Sequence, residues 1–137
     1  MQQEKVALKF WQAEGVLHYN CVDTGPTKEW GFPGPGVTVT QTKPYVTTPL
    51  AEPEFDAVLI DGRFRVACAL KILNFLTEGS VVMIHDWKQR KDKYGPPLLE
   101  FYEMIEQADK LAVLRRRPDW DKDAAAAKLE EYYADPA

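Results

Sequence analysis

Asp61, His85 and Asp86 are the residues of this 137-residue chain best suited to chemistry. Each follows a run of apolar residues, Phe55–Ile60 before Asp61-Gly62 and Val81–Ile84 before His85-Asp86. An imidazole is the side chain suited to moving protons near neutral pH. Two carboxylates supply the hard oxygen donors that Mg²⁺ or Ca²⁺ prefer. His85 is therefore the candidate base, and Asp61 is a second catalytic candidate, a strand-exit carboxylate that would contact a metal or cofactor. Plainer roles compete with these. Asp61 would cap a helix starting at Arg63, and His85 would bond backbone at the end of a strand.

The elements that must position these side chains form one β-α-β crossover. Phe55–Ile60 reads as a strand buried on both faces. Val66, Ala69, Leu70, Leu73 and Leu76 fall on one face of a helix predicted over 63–76. Gly79-Ser80 breaks the pattern, and Val81–His85 is the second strand. In open parallel sheets ligands bind just beyond the carboxyl ends of the strands, where Asp61 and His85-Asp86 would stand.

Two basic clusters accompany them. Lys88, Arg90, Lys91 and Lys93 form a loop after the second strand, and Arg115, Arg116 and Arg117 follow a short strand at Leu111–Leu114. If the strands are parallel, both clusters lie on the edge that carries Asp61 and His85, as a rim for a phosphate or an acidic protein surface. Solvated charge is the competing reading. Arg63 and Arg65 are two apart and cannot both face one ligand from a helix. One is expected to bind an anion, the other to pair with an acid. Trp30, Phe32 and Trp87 are candidates for stacking on a ligand, or for packing a loop onto the core.

Elsewhere the pattern predicts a helix over 3–13, a strand at Val16–Val22, a helix at Leu98–Ala108 opened by Pro96-Pro97, and a surface or partner-facing helix at Asp121–Tyr133. Six of the ten prolines and four of the eight glycines crowd residues 23–54, which are expected to form a long ordered loop, since they also hold Trp30, Phe32 and Tyr45. The length allows one domain. The net charge of −4 does not favour direct binding of nucleic acid, and no apolar run approaches the roughly 20 residues of a membrane span. Cys21 and Cys68 read as buried free thiols, with no zinc-ligand spacing, in a soluble protein of a reducing compartment such as cytoplasm or an organelle matrix or stroma.

FDAVLIDG, the helix after it and VVMIHDW resemble the class I S-adenosylmethionine (SAM)-dependent methyltransferase fold, and in particular its second half. DTGPTKEWGFP and DGRFRVACAL are similar to segments of uncharacterised relatives of that fold. The resemblance implies an α/β architecture: a partial Rossmann-like, mostly parallel sheet flanked by helices. Residues 1–117 would form this partial domain, with the loop over 23–54, and residues 118–137 a helical tail. Phe55–Asp61 would be the family's fourth strand and Val81–Trp87 its fifth. Metal-dependent O-methyltransferases of this fold hold a divalent ion at those strand ends, the positions of Asp61 and Asp86, although they often carry Asp where His85 stands. Gly62, Arg63 and Trp87 would then face a cofactor.

The chain departs from that family in its donor site. The glycine-rich turn after the first strand and the acid after the second have no counterpart, and the prolines of GFPGPG (Gly31–Gly36) remove backbone N–H groups. In the family order 3-2-1-4-5-7-6 the third strand does not neighbour the fourth. Val16–Val22 would lack a sheet partner, and the fourth strand would expose an apolar edge. The family's antiparallel last strand is not visible after Pro118. Two expectations follow. One is a truncated, non-catalytic accessory or scaffold subunit that binds no cofactor alone and whose sheet edge is covered by other protein chains. The other is a fragment of a SAM-dependent O- or N-methyltransferase using SAM and Mg²⁺, with His85 as base.

Overall fold

The computed structural model describes residues 13–15, 17–48 and 54–137. Nearly all of the helix expected over 3–13 lies outside them. The chain builds α1 (Val39–Thr47), β1 (Phe55–Ile60), α2 (Arg65–Ile72), β2 (Leu76–Ile84), α3 (Trp87–Leu98), β3 (Tyr102–Ala108), β4 (Leu111–Arg116) and α4 (Lys122–Tyr132). The α/β class is as expected. The four strands form one sheet in the order β1-β2-β4-β3.

β1 and β2 pair in parallel, with Val58 opposite Val82 and Ile60 opposite Ile84. The pairing shifts register between Phe55 and Ala57, where β2 makes an excursion. Gly79-Ser80 therefore lies inside a strand rather than before one. The buried Ser80 hydroxyl holds the excursion, donating to the Phe55 carbonyl at 2.6 Å and accepting from Thr77 N–H at 2.8 Å.

The second half of the sheet differs from the sequence reading. Tyr102–Ala108 is a strand, not a helix, and it forms an antiparallel hairpin with β4 through Asp109-Lys110. Asp109 adopts φ +51°, a left-handed conformation that Asp tolerates in turns. Leu98, Leu99, Tyr102 and Ile105 do fall at helical spacing, but pairing with β4 outweighs that pattern. Tyr102, Glu103 and Met104 also alternate as a strand does. β4 runs antiparallel to β2, pairing Val82 with Leu114 and Ile84 with Ala112. The reversed strand sought after Pro118 is thus present before it. Leu17–Val22 forms no strand, and Cys21 is exposed rather than buried.

One sheet face is the core. Ile60, Val82, Ile84, Ala112, Leu114 and Tyr102 bury against α2 residues Val66, Ala69, Leu70 and Leu73 and against Tyr94 and Leu98 of α3. Tyr102 crosses this layer, its hydroxyl donating to the Ala69 carbonyl at 2.6 Å. α4 joins the same core through Ala125 and Leu129, with Tyr133 beside them. Its surface reading is corrected accordingly: the apolar spacing is short, but it is buried. On the other face Ala57 is exposed, Leu59 is 63% exposed, and Val81, Met83 and Val113 are half-covered. β1 pairs only with β2 among the described residues, so its outer edge is open there.

The segment 23–54 is not all loop. α1 lies within it despite Pro44, and its start is tied by Thr38 N–H donating to Gln41 Oε1 at 2.9 Å. α1 leans on α4: Lys43 lies 3.7 Å from Glu130 and 4.3 Å from the centre of the Tyr133 ring.

Candidate active site

The site forms where the parallel strands end. His85 N–H donates to the Ile60 carbonyl at 3.1 Å, which locks the two strand exits side by side. Asp61 and His85 therefore meet, with His85 Nδ1 3.0 Å from Asp61 Oδ1. Asp86 Oδ1 lies 3.4 Å from the same nitrogen. Both carboxylates thus crowd one ring nitrogen of His85, whose imidazole is the side chain suited to moving protons near neutral pH.

Arg65 organises the cluster from beneath. Only 2% of it is exposed. Its Nε donates to the Gly62 carbonyl at 2.8 Å, and its Nη1 donates to the His85 carbonyl at 2.7 Å and to Asp86 Oδ2 at 3.0 Å. Its Nη2 approaches Asp61 at 3.7 Å. A buried guanidinium needs this many acceptors. Burial alone would raise the Asp86 carboxyl. The Arg65 hydrogen bond and the charges of Arg65, His85 and Arg90 outweigh it and hold the group below the usual carboxylate range.

Asp61 does not cap α2. The helix begins at Arg65, and the Phe64 and Arg65 amides donate instead to the carbonyls of Pro136 and Ala137, at 3.2 and 3.3 Å. Asp61 stays 55% exposed in its side chain and free to face a ligand.

A cavity of about 840 Å³ opens over these residues, lined among others by Asp61, Gly62, Arg63, Arg65, His85, Asp86 and Arg90. That is within the roughly 300–1,000 Å³ range of small-molecule sites. Its other wall is the 23–54 segment, which contributes Trp30, Phe32, Thr42 and Tyr45. Lys110 reaches the cavity from the hairpin turn, where its carbonyl accepts from Trp87 N–H at 2.8 Å. Trp30, Phe64 and Asp86 line the cavity with φ of +61°, +55° and +59°. Asp tolerates left-handed backbone, but it is costly for aromatic side chains such as Trp30 and Phe64, and such strain gathers at functional sites.

Other sequence candidates fall elsewhere. Trp87 is 2% exposed and packs on Tyr94 at 6.0 Å between ring centres, so it belongs to the core and not to the cavity lining. Lys88 and Lys91 are exposed on α3, which replaces the expected basic loop, and Lys93 pairs with Asp135 at 3.0 Å. Because β4 runs antiparallel, Arg115, Arg116 and Arg117 lie at the opposite end of the sheet from Asp61 and His85. The single positive rim is corrected on that ground. Arg116 donates to the Leu73 carbonyl at 2.7 Å and Arg117 to the Leu99 carbonyl at 3.0 Å, so both brace backbone. Arg65 as the organising residue, Tyr45 and Lys110 were missed by sequence reasoning. The polar strand exit marks where Arg65 acts, but nothing local marks Tyr45 or Lys110.

The residues present can be tested against a metal and a methyl donor. Ligand atoms of Asp61, His85 and Asp86 lie within 4.8 Å of one another. Two carboxylates and an imidazole fit a borderline ion such as Zn²⁺ or Fe²⁺ better than oxygen-seeking Mg²⁺. Asp86 already spends one oxygen on Arg65. The methyl donor fits less well. The Gly31 and Gly34 amides of the glycine cluster already donate to Lys28 and Pro26 carbonyls, at 3.2 and 2.7 Å, and cannot cradle a ligand.

The sheet and its strand-exit site define a methyltransferase-like fold. A methyltransferase-like protein of Silicibacter pomeroyi DSS-3, known from a crystal structure, superposes with a TM-score of 0.70 at 24% identity, over 98% of this chain and 73% of that one. No protein-family model matches the chain, and no curated protein does.

Proposed function

We propose that this chain is the second half of a methyltransferase-like sheet and works as an accessory or scaffold subunit, with another polypeptide covering β1. The carrying observation is the outer edge of β1, open among the described residues, beside an apolar face on which Leu59 is 63% exposed. An edge of this kind favours pairing with a further strand. The order β1-β2-β4-β3, with β4 reversed, supports the reading, because it matches strands 4-5-7-6 of the family order 3-2-1-4-5-7-6. The spent glycine amides support it from the donor side.

Light scattering after gel filtration tests it. A self-associated chain, or one that forms a stable complex with a polypeptide whose strand pairs with β1, is expected. A monomer that unfolds cooperatively and ignores such a partner would sink the proposal.

One observation favours a second reading, a fragment of an active methyltransferase. Asp61 and His85 lie 3.0 Å apart, which supports a reading of His85 as the base that takes a proton from a ligand hydroxyl or amine. Calorimetric titration with SAM separates the two readings. Micromolar binding by the chain alone would sink the first reading and support the second.

A further inference from the structure

The cavity carries more positive charge than its carboxylates use. Arg63, Arg65, Arg90 and Lys110 line it, against Asp61 and Asp86. Arg65 is consumed by those two carboxylates and by backbone carbonyls. Among the described residues Arg63, Arg90 and Lys110 have no carboxylate within salt-bridge distance. Arg63 is the unusual one. Its guanidinium lies on the Phe32 ring, 4.4 Å from the ring centre, and its Nη1 is enclosed without a hydrogen-bond partner. A buried, unpaired guanidinium nitrogen is costly and needs an acceptor. Burial, then the neighbouring Arg65 and Arg90 charges, pull the Arg63 pKa below its ordinary value. An anion beside the accessible part of the guanidinium would offset the neighbouring Arg65 and Arg90 charges.

We propose that Arg63 and Arg90 form an oxyanion site in this cavity, for an organic ligand whose carboxylate or phosphate they hold while Phe32 and Trp30 pack its apolar body. The geometry suits such a ligand. Phe32 covers the Arg63 guanidinium, whose fork of donors suits a two-oxygen acceptor. Arg90 stands at the kink of α3, at φ −126°, where its only side-chain bond among the described residues is a long one of 3.5 Å to the Tyr94 hydroxyl. Trp30 is 85% exposed at the cavity wall and free to fold over a ligand. The assignment does not depend on methyl transfer or on a partner chain.

Benzoate, phenyl phosphate and the neutral benzyl alcohol are the probes, titrated into the full chain by calorimetry. At least one of the two anions is expected to bind saturably and about tenfold or more tighter than benzyl alcohol. Which anion binds tells carboxylate from phosphate. Arg63→Gln is expected to weaken the anion about tenfold and Arg90→Gln by less, while Lys91→Gln leaves it unchanged. In the unmodified protein the Arg63 Nε–Hε NMR resonance shifts on adding the anion, a readout that needs no variant. Benzyl alcohol binding as tightly as the anions, an unmoved Arg63 resonance, or a folded Arg63→Gln variant with unchanged affinity would each overturn the site.

Discussion

Arg65 reaches Asp86 from beneath the sheet edge, Nη1 to Oδ2 at 3.0 Å, and so ties the first helical turn after β1 to the exit of β2. The same guanidinium holds two backbone carbonyls. Arg65→Met would leave Asp86, Gly62 and His85 each short of a donor. We expect a loss of about 2–4 kcal/mol, toward the lower end because the Asp86 side chain is 31% exposed. Urea denaturation, read as a fall in midpoint at constant slope, measures it.

The pair also sets an acid limit. The Asp86 carboxyl is held below its ordinary range, so the unfolded chain takes up its proton first as pH falls. Its stabilisation is complete above about pH 4, the unfolded value, and is lost as pH drops through the lower folded value. Thermal melts between pH 6 and pH 2 should show the wild type losing more stability on acidification than Asp86→Asn. Equal acid slopes would contradict the assignment.

Gly62 is required by Tyr45. A Cβ at position 62 would run into the Tyr45 hydroxyl, while the ring carbon that carries it would stay 3.4 Å away. Gly62→Ala should cost about 1–3 kcal/mol by overpacking. In a Tyr45→Phe background the cost should shrink, giving a coupling of about 1 kcal/mol in a double-mutant cycle. Additive effects would show that the two residues do not meet.

The two thiols should separate cleanly. Cys21 is exposed, whereas burial pushes the Cys68 thiol up to about 12. At pH 8 a thiol-reactive dye is expected to label Cys21 quickly and Cys68 only after denaturation, because the thiolate is the reacting form. Mass spectrometry of the labelled peptides reads the result.

Leu59 tests the open face. It is 63% exposed, so Leu59→Lys should change stability by less than about 0.5 kcal/mol. It should nevertheless abolish any association that covers β1, as gel filtration would show. A variant that still associates would move the interface elsewhere.

The β-α-β unit was legible because its signals are local. Phe55–Ile60 is continuously apolar, Val66, Ala69 and Leu70 share a helix face, and both strands end on polar residues. Those local signals place Asp61, His85 and Asp86 together at the strand exits. What escaped depends on partners distant in sequence. β3 is a strand because β4 pairs with it, and β4 is reversed because β2 accepts it so. α1 carries no apolar stripe and buries only Thr42 and Val46, so it gave no periodic signal. Arg65 is buried because four acceptors from two strand exits converge on it, and neighbouring residues cannot announce that.

The carbonyls of Pro136 and Ala137 receive the amides of Phe64 and Arg65. In mechanical terms, Pro136 and Ala137 are a tether fastened to the floor of the cavity. Traction at Ala137 acts on the residue that holds Asp86 and His85 in place before it acts on the sheet. An affinity tag fused directly after Ala137 would therefore be a perturbation of the site, and a reporter dye attached there would sense ligand arriving in the cavity.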